Sequence, residues 1–403
     1  MKQSGIDWIG EIPDDWKISK AKTILRNKSI KNHPEAEVLS LYRDLGIVPK
    51  NSRDDNHNVT SDDTASYKFV QKGELVLNKM KTWQGSLAVS AYEGIVSPAY
   101  YVCEFTNQEI DKKYIHYLLR NKMYAQEFER LSTGLRVGQW DLNIDDFLNT
   151  PIVYPPKKAT QQRISEYLDS KCAQIDSIIE ESKKSIEEYK AWKQSVIYEA
   201  VTGKNLNCKK KDSGIEWIGE IPEGWYVTKF KYTHNGTNVG ESIDKDYCTE
   251  NEDDKLFYTA GLEPIHTTYN DFPDWKYTQD QDLLLARNGT PYVYIPLSNA
   301  VYSDHIIRVT IKNQFYKKYI CYAIQQSIRN IVVDTVSITT WSASLWNNQF
   351  IPMPPLDEQK NIAIYIQNKC KQIDSLIAEK ESLIADLTEY KKSLIFEVVT
   401  GKK

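Results

Sequence analysis

Cysteines are few in this sequence, and long apolar runs are missing. Its 403 residues hold six cysteines, at 103, 172, 208, 248, 321 and 370, with no close pair among them. Such scatter argues against a disulfide framework or a zinc site and fits reduced thiols. Nothing approaches the ~18 consecutive apolar residues of a transmembrane helix. The start, Met1-Lys2-Gln3-Ser4-Gly5, leads into Trp and acidic residues rather than an apolar signal core. A cytoplasmic chain without membrane association is the expectation. A basic balance is also lacking: the net charge is −4, which argues mildly against a stand-alone nucleic-acid binder.

Catalytic signatures are equally scarce. There is no Gly-x-x-x-x-Gly-Lys-Ser/Thr phosphate loop and no Gly-x-Gly-x-x-Gly after a strand, so ATPase and dinucleotide or methyl-donor sites are unsupported. The proline pairs Tyr154-Pro155-Pro156 and Met353-Pro354-Pro355 are not the Asn-Pro-Pro-Tyr/Phe of amino-methyltransferases. The six histidines are isolated. A nuclease reading built on Asp14 with Asp15-Trp16-Lys17 loses its acid and lysine in the second copy, Gly224-Trp225-Tyr226. No catalytic residue, resident cofactor or metal ligand is expected.

What the chain does have is a long internal repeat. Ser4-Gly5-Ile6-Asp7-Trp8-Ile9-Gly10-Glu11-Ile12-Pro13 returns as Ser213-Gly214-Ile215-Glu216-Trp217-Ile218-Gly219-Glu220-Ile221-Pro222. Each half closes on a second echo, Gln174-Ile175-Asp176-Ser177 to Val201-Thr202-Gly203-Lys204 and Gln372-Ile373-Asp374-Ser375 to Val399-Thr400-Gly401-Lys402. Copies this long exceed the ~20–50 residues of a solenoid unit, so each holds a whole domain. Fainter echoes lie between: Glu74-Leu75-Val76-Leu77-Asn78-Lys79 with Asp282-Leu283-Leu284-Leu285-Ala286-Arg287, Lys112-Lys113-Tyr114-Ile115 with Lys317-Lys318-Tyr319-Ile320, and the two proline pairs. A constant frame thus surrounds two dissimilar inserts of one fold.

Both closing segments read as long helices. Leu168, Cys172, Ile175, Ile179, Ser182, Ile186, Tyr189, Lys193, Val196 and Ala200 alternate steps of four and three, as do Ile366, Cys370, Ile373, Ile377, Lys380, Ile384, Leu387, Lys391, Leu394 and Val398. Sustained 4-3 spacing marks a coiled-coil seam, and polar residues at matching seam positions restrict pairing. A helix of roughly forty residues spans about 60 Å at ~1.5 Å per residue. Gly203 and Gly401 stand at the helix stops. The inserts read as strand-rich, mixed domains, with short apolar runs such as Gly94-Ile95-Val96-Ser97 and Tyr100-Tyr101-Val102-Cys103 between turns. One helix is expected in each, near 112–131 and 317–331. The basic run Lys209-Lys210-Lys211 reads most simply as solvated linker.

Polar loops of the inserts carry cations and aromatics suited to DNA. Lys79-Met80-Lys81-Thr82-Trp83-Gln84-Gly85 leaves a buried strand, and Arg287-Asn288-Gly289-Thr290-Pro291-Tyr292 holds the same register in the second half. Lys and Arg grip phosphates or guanine edges, and Asn and Gln suit adenine. Arg43, Arg136 with Gln139, and Trp341 are further candidates. Ordinary surface loops whose aromatics finish a core are the bland alternative.

Taken together, the Trp-Ile-Gly-Glu-Ile-Pro frame, the Lys79–Ser86 loop, the helix starts at Gln161-Gln162 and Glu358-Gln359, and the Tyr198-Glu199-Ala200-Val201-Thr202-Gly203-Lys204 ending resemble the DNA-specificity subunits of type I restriction–modification enzymes. The resemblance covers essentially the whole chain. It implies an α+β protein with two strand-rich target-recognition domains in pseudo-twofold arrangement, each reading half of a split DNA sequence. The two long helices between them would form an antiparallel coiled coil. The segments expected are a frame over 1–17, recognition domains over 18–156 and 227–355, a linker with second frame over 205–226, and long helices over 157–204 and 356–403. The implied partners are double-stranded DNA, two methyltransferase subunits and motor-nuclease subunits, with S-adenosylmethionine, ATP and Mg²⁺ held by those partners. On this reading Lys79, Lys81, Arg136, Arg287 and Arg308 grip phosphates or bases. Trp83, Gln84, Gln139, Asn288, Thr290 and Tyr292 read or fit the duplex, with Arg43 and Trp341 beside them. Trp8, Ile9, Trp217 and Ile218 would seat the methyltransferases. A protein–protein scaffold, two binding modules on a coiled-coil strut without nucleic acid, is the competing class.

Overall fold

A computed structural model describes residues 1–43, 45–52, 64–134, 140–329 and 340–403. The chain divides into two compact units, residues 1–183 with 381–403, and residues 184–380.

In the first unit the frame motif closes a small hairpin between Lys2–Gln3 and Glu11–Ile12. Ser4 Oγ accepts from Ile6 N at 3.1 Å, and Gly10 N donates to Ile6 O at 3.0 Å. In the second unit Ser213 Oγ accepts from Ile215 N at 3.2 Å and Gly219 N donates to Ile215 O at 2.9 Å. The sequence repeat is thus a repeat of hydrogen bonds. Its second copy is completed by Lys210–Asp212, which pairs with Glu220–Pro222. The basic run read as linker is therefore partly a strand, because its backbone has a partner in the frame.

Each strand-rich domain is built on a four-stranded antiparallel sheet of the same order. In the first unit Leu25–Lys28, Tyr100–Phe105, Leu75–Asn78 and Leu87–Val89 lie side by side. In the second, His234–Val239, Ile306–Ile311, Asp282–Ala286 and Val293–Tyr294 repeat that order. The expected strands at Gly94–Val96 and Tyr100–Phe105 are present. The second domain carries a further sheet of Cys248–Thr249, Ile265–Thr267, Lys255–Tyr258 and Val301–Tyr302.

Where one helix was expected near 112–131 there are two, α1 (Lys112–Arg120) and α2 (Lys122–Leu131). Asn121 breaks them: its backbone is extended and its side chain accepts from Tyr124 N, capping α2. A short α3 (Ile144–Asn149) precedes the long α4 (Lys158–Thr202). The second unit has α5 (Lys317–Arg329), short α6 (Ala343–Asn347) and the start of α7 (Leu356–Val399). At 45 residues, α4 separates the two strand-rich domains along the chain.

The long helices are shared between the units. In the first, Leu168 and Ile175 of α4 share a core with Leu394, Val398 and Val399 of α7. In the second, Ala200 and Val201 of α4 share a core with Ala363 and Ile366 of α7. Each unit therefore closes on the helix end belonging to the other half of the sequence.

Matching polar pins hold these ends. The buried Tyr114 hydroxyl lies 2.9 Å from both Val153 O and Val399 O. Tyr319 repeats this with Pro352 O at 2.9 Å and Val201 O at 3.3 Å. Gln161, buried at the start of α4, accepts from Asp111 N and donates to Pro155 O, both at 2.8 Å. Gln359 does the same between Tyr316 N and Pro354 O, also at 2.8 Å. Farther along, Lys391 donates to Asp176 at 2.6 Å in the first unit, and Lys193 to Asp374 at 2.7 Å in the second. In each unit one helix end meets the other helix's start while the ion pair lies farther in, so the two segments run in opposite senses. The polar seam residues Lys193 and Lys391 thus find acidic partners, as register markers should.

Candidate nucleic-acid interface

The two candidate loops start from one architectural device. A buried acid opens each central strand: Glu74 accepts from Gln71 N at 2.8 Å, and Asp282 from Gln279 N at 2.7 Å. A buried carboxylate needs a cation. Lys28, from the edge strand two places away in the sheet, pairs with Glu74, and Arg308, from the adjacent strand, stands 3.7 Å from Asp282. The cation comes from different strands in the two domains, although the acid occupies the same register.

Beyond the first strand, Asn78 turns the chain by accepting from Met80 N through its side chain and from Thr82 Oγ1 through its carbonyl. Thr82–Gln84 forms one 3-10 turn ending at Gly85, whose φ of 86° suits glycine. Trp83 donates to Met80 O at 2.9 Å and its ring lies 5.2 Å from that of Trp140. Lys79 reaches Asp141 at 2.6 Å, and this bond raises the lysine pKa. Arg43 donates to Gln84 Oε1 at 2.8 Å. Lys81 is exposed.

In the second unit Arg287 donates to Asp304 O at 2.9 Å, and Asn288 Nδ2 donates to His305 Nδ1 at 2.7 Å. Gly289 has a φ of 68°, Thr290 is exposed, and Tyr292 is half-buried near Tyr294. One node is common to both loops. Leu142 N donates to Lys79 O at 3.0 Å, and Trp341 N donates to Arg287 O at 2.6 Å, each just before the short helix α3 or α6. The first cation after the central strand is therefore fixed by its backbone in both domains, while its side chain and neighbours differ.

Residues 13–188 match the family model described as the type I restriction modification DNA specificity domain. The chain is 20% identical to the type I restriction enzyme EcoKI specificity subunit of Escherichia coli (strain K12), over 98% of this chain and 90% of that one. A chain solved for the structural basis of complex assembly and conformational transition of the type I R-M system aligns with a TM-score of 0.75 at 12% identity, covering 98% of this chain and 100% of that chain. The crystal structure of the HsdS subunit from Thermoanaerobacter tengcongensis aligns with a TM-score of 0.56 at 14% identity, covering 100% of both chains. This chain resembles the type I specificity subunits over nearly its whole length.

Against that background the candidate residues sort by position. The fold brings Arg43 together with Gln84, and Lys79, Lys81 and Trp83 share the loop that leaves the central strand. Arg287, Asn288, Thr290 and Tyr292 share the second loop. Two candidates do not join them. Arg308 is buried, donates to Tyr277 O at 3.0 Å and stands beside Asp282, so its charge serves the core. Trp341 is buried, and its indole N–H donates to Gly289 O at 2.9 Å, supporting the loop from beneath. Arg136 and Gln139 lie outside the described residues. Sequence reasoning passed over Asp141 and Trp140, which directly follow the candidate Gln139 in the sequence and stand against Lys79 and Trp83.

In the frames, Ile9 and Ile218 are core residues. Trp8 is half-buried, edge-on to Tyr124 at 5.1 Å, and Trp217 is half-buried with its carbonyl accepting from Tyr198 OH at 3.1 Å. The first-unit counterpart of Tyr198 is Phe396, which has no hydroxyl to donate, so the two frames differ at this point. Among the described residues no group of three or more His, Cys, Asp or Glu side chains could hold a metal ion, and no helix is long and apolar enough to cross a membrane.

Proposed function

We propose that this chain is the sequence-specific DNA-binding subunit of a type I restriction–modification complex, and that its two recognition domains read the two halves of a split target. The observation that carries this reading is the shared backbone node at Lys79 and Arg287, which presents dissimilar polar loops from two sheets of the same strand order. A protein whose two copies served the same ligand would have no reason to keep the node and change the side chains. Lys79, Lys81, Arg136 and Arg287 supply phosphate or base contacts. Arg43, Gln84, Gln139, Asn288, Thr290 and Tyr292 supply base or shape recognition, with Trp83 as a stacking face. Arg308 and Trp341 hold the loops' supports instead.

The same reading assigns the chemistry to partners. Two methyltransferase subunits dock on the frames around Trp8 and Trp217, and motor-nuclease subunits join them for cleavage. S-adenosylmethionine, ATP and Mg²⁺ act in those subunits, where the target adenine is flipped from the duplex for methylation. Sequencing the methylome of cells with and without this chain tests the proposal. A split methylated motif that vanishes with the chain is expected. An unchanged methylome, with no salt-sensitive shift of duplex DNA by the purified complex, favours the protein–protein scaffold instead.

A further inference from the structure

We infer that Asp141 is a base-reading residue and that the Lys79–Asp141 couple reads one G·C base pair in the half-site of the first recognition domain. This rests on the DNA-binding reading above. The two side chains are 2.6 Å apart, and each keeps about two-fifths of its surface exposed, 41% for Lys79 and 42% for Asp141. They do not form a buried structural pair of the kind that Lys28 makes with Glu74. The couple is nevertheless held in place. Leu142 N donates to Lys79 O, and Thr133 and Asp141 exchange backbone hydrogen bonds at 2.9 and 3.1 Å. Trp140, next to Asp141 in the chain, packs its ring 5.2 Å from that of Trp83.

A donor beside an acceptor is the complement of a base-pair edge in the major groove. At G·C the guanine offers two acceptors, O6 and N7, and the cytosine offers the N4 donor next to O6. Lysine fits the first and a carboxylate fits the second. An A·T pair suits the couple less well, because beside the N6 donor it offers the ammonium a single acceptor, adenine N7 or thymine O4, where guanine offers O6 and N7 together. In the second domain Thr340 takes the place of Asp141 just before the node, and Arg287 donates to the Asp304 carbonyl rather than to a carboxylate. Asn288 and His305 stand there instead, so the preference belongs to the first half-site alone.

The test is selection of bound sequences from a randomised duplex pool by the intact complex, purified through this chain, with wild type, Asp141→Asn and Lys79→Ala compared. The wild type is expected to fix a G·C pair at one or more positions of one half-site. Asp141→Asn preserves the backbone bridge and is expected to relax one of those positions by about tenfold or more, leaving the other half-site unchanged. Lys79→Ala is expected to relax the same position. A uniform rise in affinity for all duplexes with Asp141→Asn, together with steeper salt dependence, would overturn the inference, because Asp141 would then merely screen Lys79 from phosphate. An unchanged preference, or a half-site that fixes no G·C pair, overturns it as well. A wild-type complex that enriches no sequence overturns the DNA-binding reading itself and takes this inference with it.

Discussion

Placing a methyl group on Gly401 tests how each unit is closed. Gly401 ends α7 in a Schellman turn, with Lys402 N donating to Glu397 O at 2.8 Å and Gly401 N to Val398 O at 3.4 Å. Its φ is +70°, and an added Cβ would lie 2.6 Å from Pro13 Cδ and 3.0 Å from Trp16 Cζ2 of the first frame. A left-handed alanine costs roughly 1–2 kcal/mol, and overpacking a dense site adds roughly 1–3 kcal/mol. Gly401→Ala should therefore cost about 2–5 kcal/mol, felt as opening of the α7 end. At 1.36 kcal/mol per decade, amide hydrogen exchange over Phe396–Lys402 should speed up by roughly thirtyfold to several thousandfold. Two controls separate the terms. Gly401→Asn tolerates the left-handed backbone but keeps the Cβ, so most of the loss should remain. Gly5→Ala, at φ +75° with nothing within 4 Å, should show the conformational cost alone in its own hairpin. If exchange at the α7 end is no faster in Gly401→Ala than in wild type, the close seating of this glycine on Pro13 and Trp16 is wrong.

The other predictions are simpler. Tyr114→Phe and Tyr319→Phe each remove a buried hydroxyl facing two carbonyls, and each should cost about 1–3 kcal/mol, read as faster exchange at the helix end that the tyrosine holds. A double-mutant cycle on Lys391 and Asp176 should give a coupling of only about 0.2–1 kcal/mol that shrinks with salt, because the aspartate is 56% exposed; a salt-insensitive coupling would contradict this. Desolvation of the half-buried His116 ring, with the Arg120 charge beside it, lowers its pKa from 6.5 to about 3, and the ring accepts from Val89 N. The unfolded chain takes up this proton first, so the stabilising contribution is complete above pH 6.5 and is lost as pH falls toward 3. A ring titration with a midpoint near 6.5 by NMR would refute that placement. Lys81→Ala and Gln84→Ala should weaken binding or change sequence preference. If neither affinity nor preference moved in either variant, the first loop would not be a DNA contact.

Local signals carried much of the architecture into the sequence. The frame echo was legible because its turn depends on glycines with positive φ and on a serine side chain, features confined to a few adjacent residues. The seams of α4 and α7 were legible because a 4-3 rhythm follows from helix geometry alone. The candidate loops were legible only as composition: cations and amides after a buried strand. Which of them faced outward depended on residues far away. Arg308 and Arg287 look equivalent in the sequence, but only Arg308 has the buried Asp282 beside it. Asp141 carries no local signal, since its meaning comes from Lys79, and Trp341 reads as an exposed ring until Gly289 O is found above its indole N–H.

The sequence by itself determined that there are two frames, two long helices and two unlike inserts. It could not determine which helix end closes which frame. Tyr198–Lys204 and Phe396–Lys402 are nearly the same string, so either would satisfy the proline, tryptophan and tyrosine that receive it. Only the tertiary structure decided that Val399 seats on the first unit and Val201 on the second. Helix periodicity records which face is apolar but not the sense in which two such faces run, and that sense, opposite within each unit, came from contacts between residues distant in the chain.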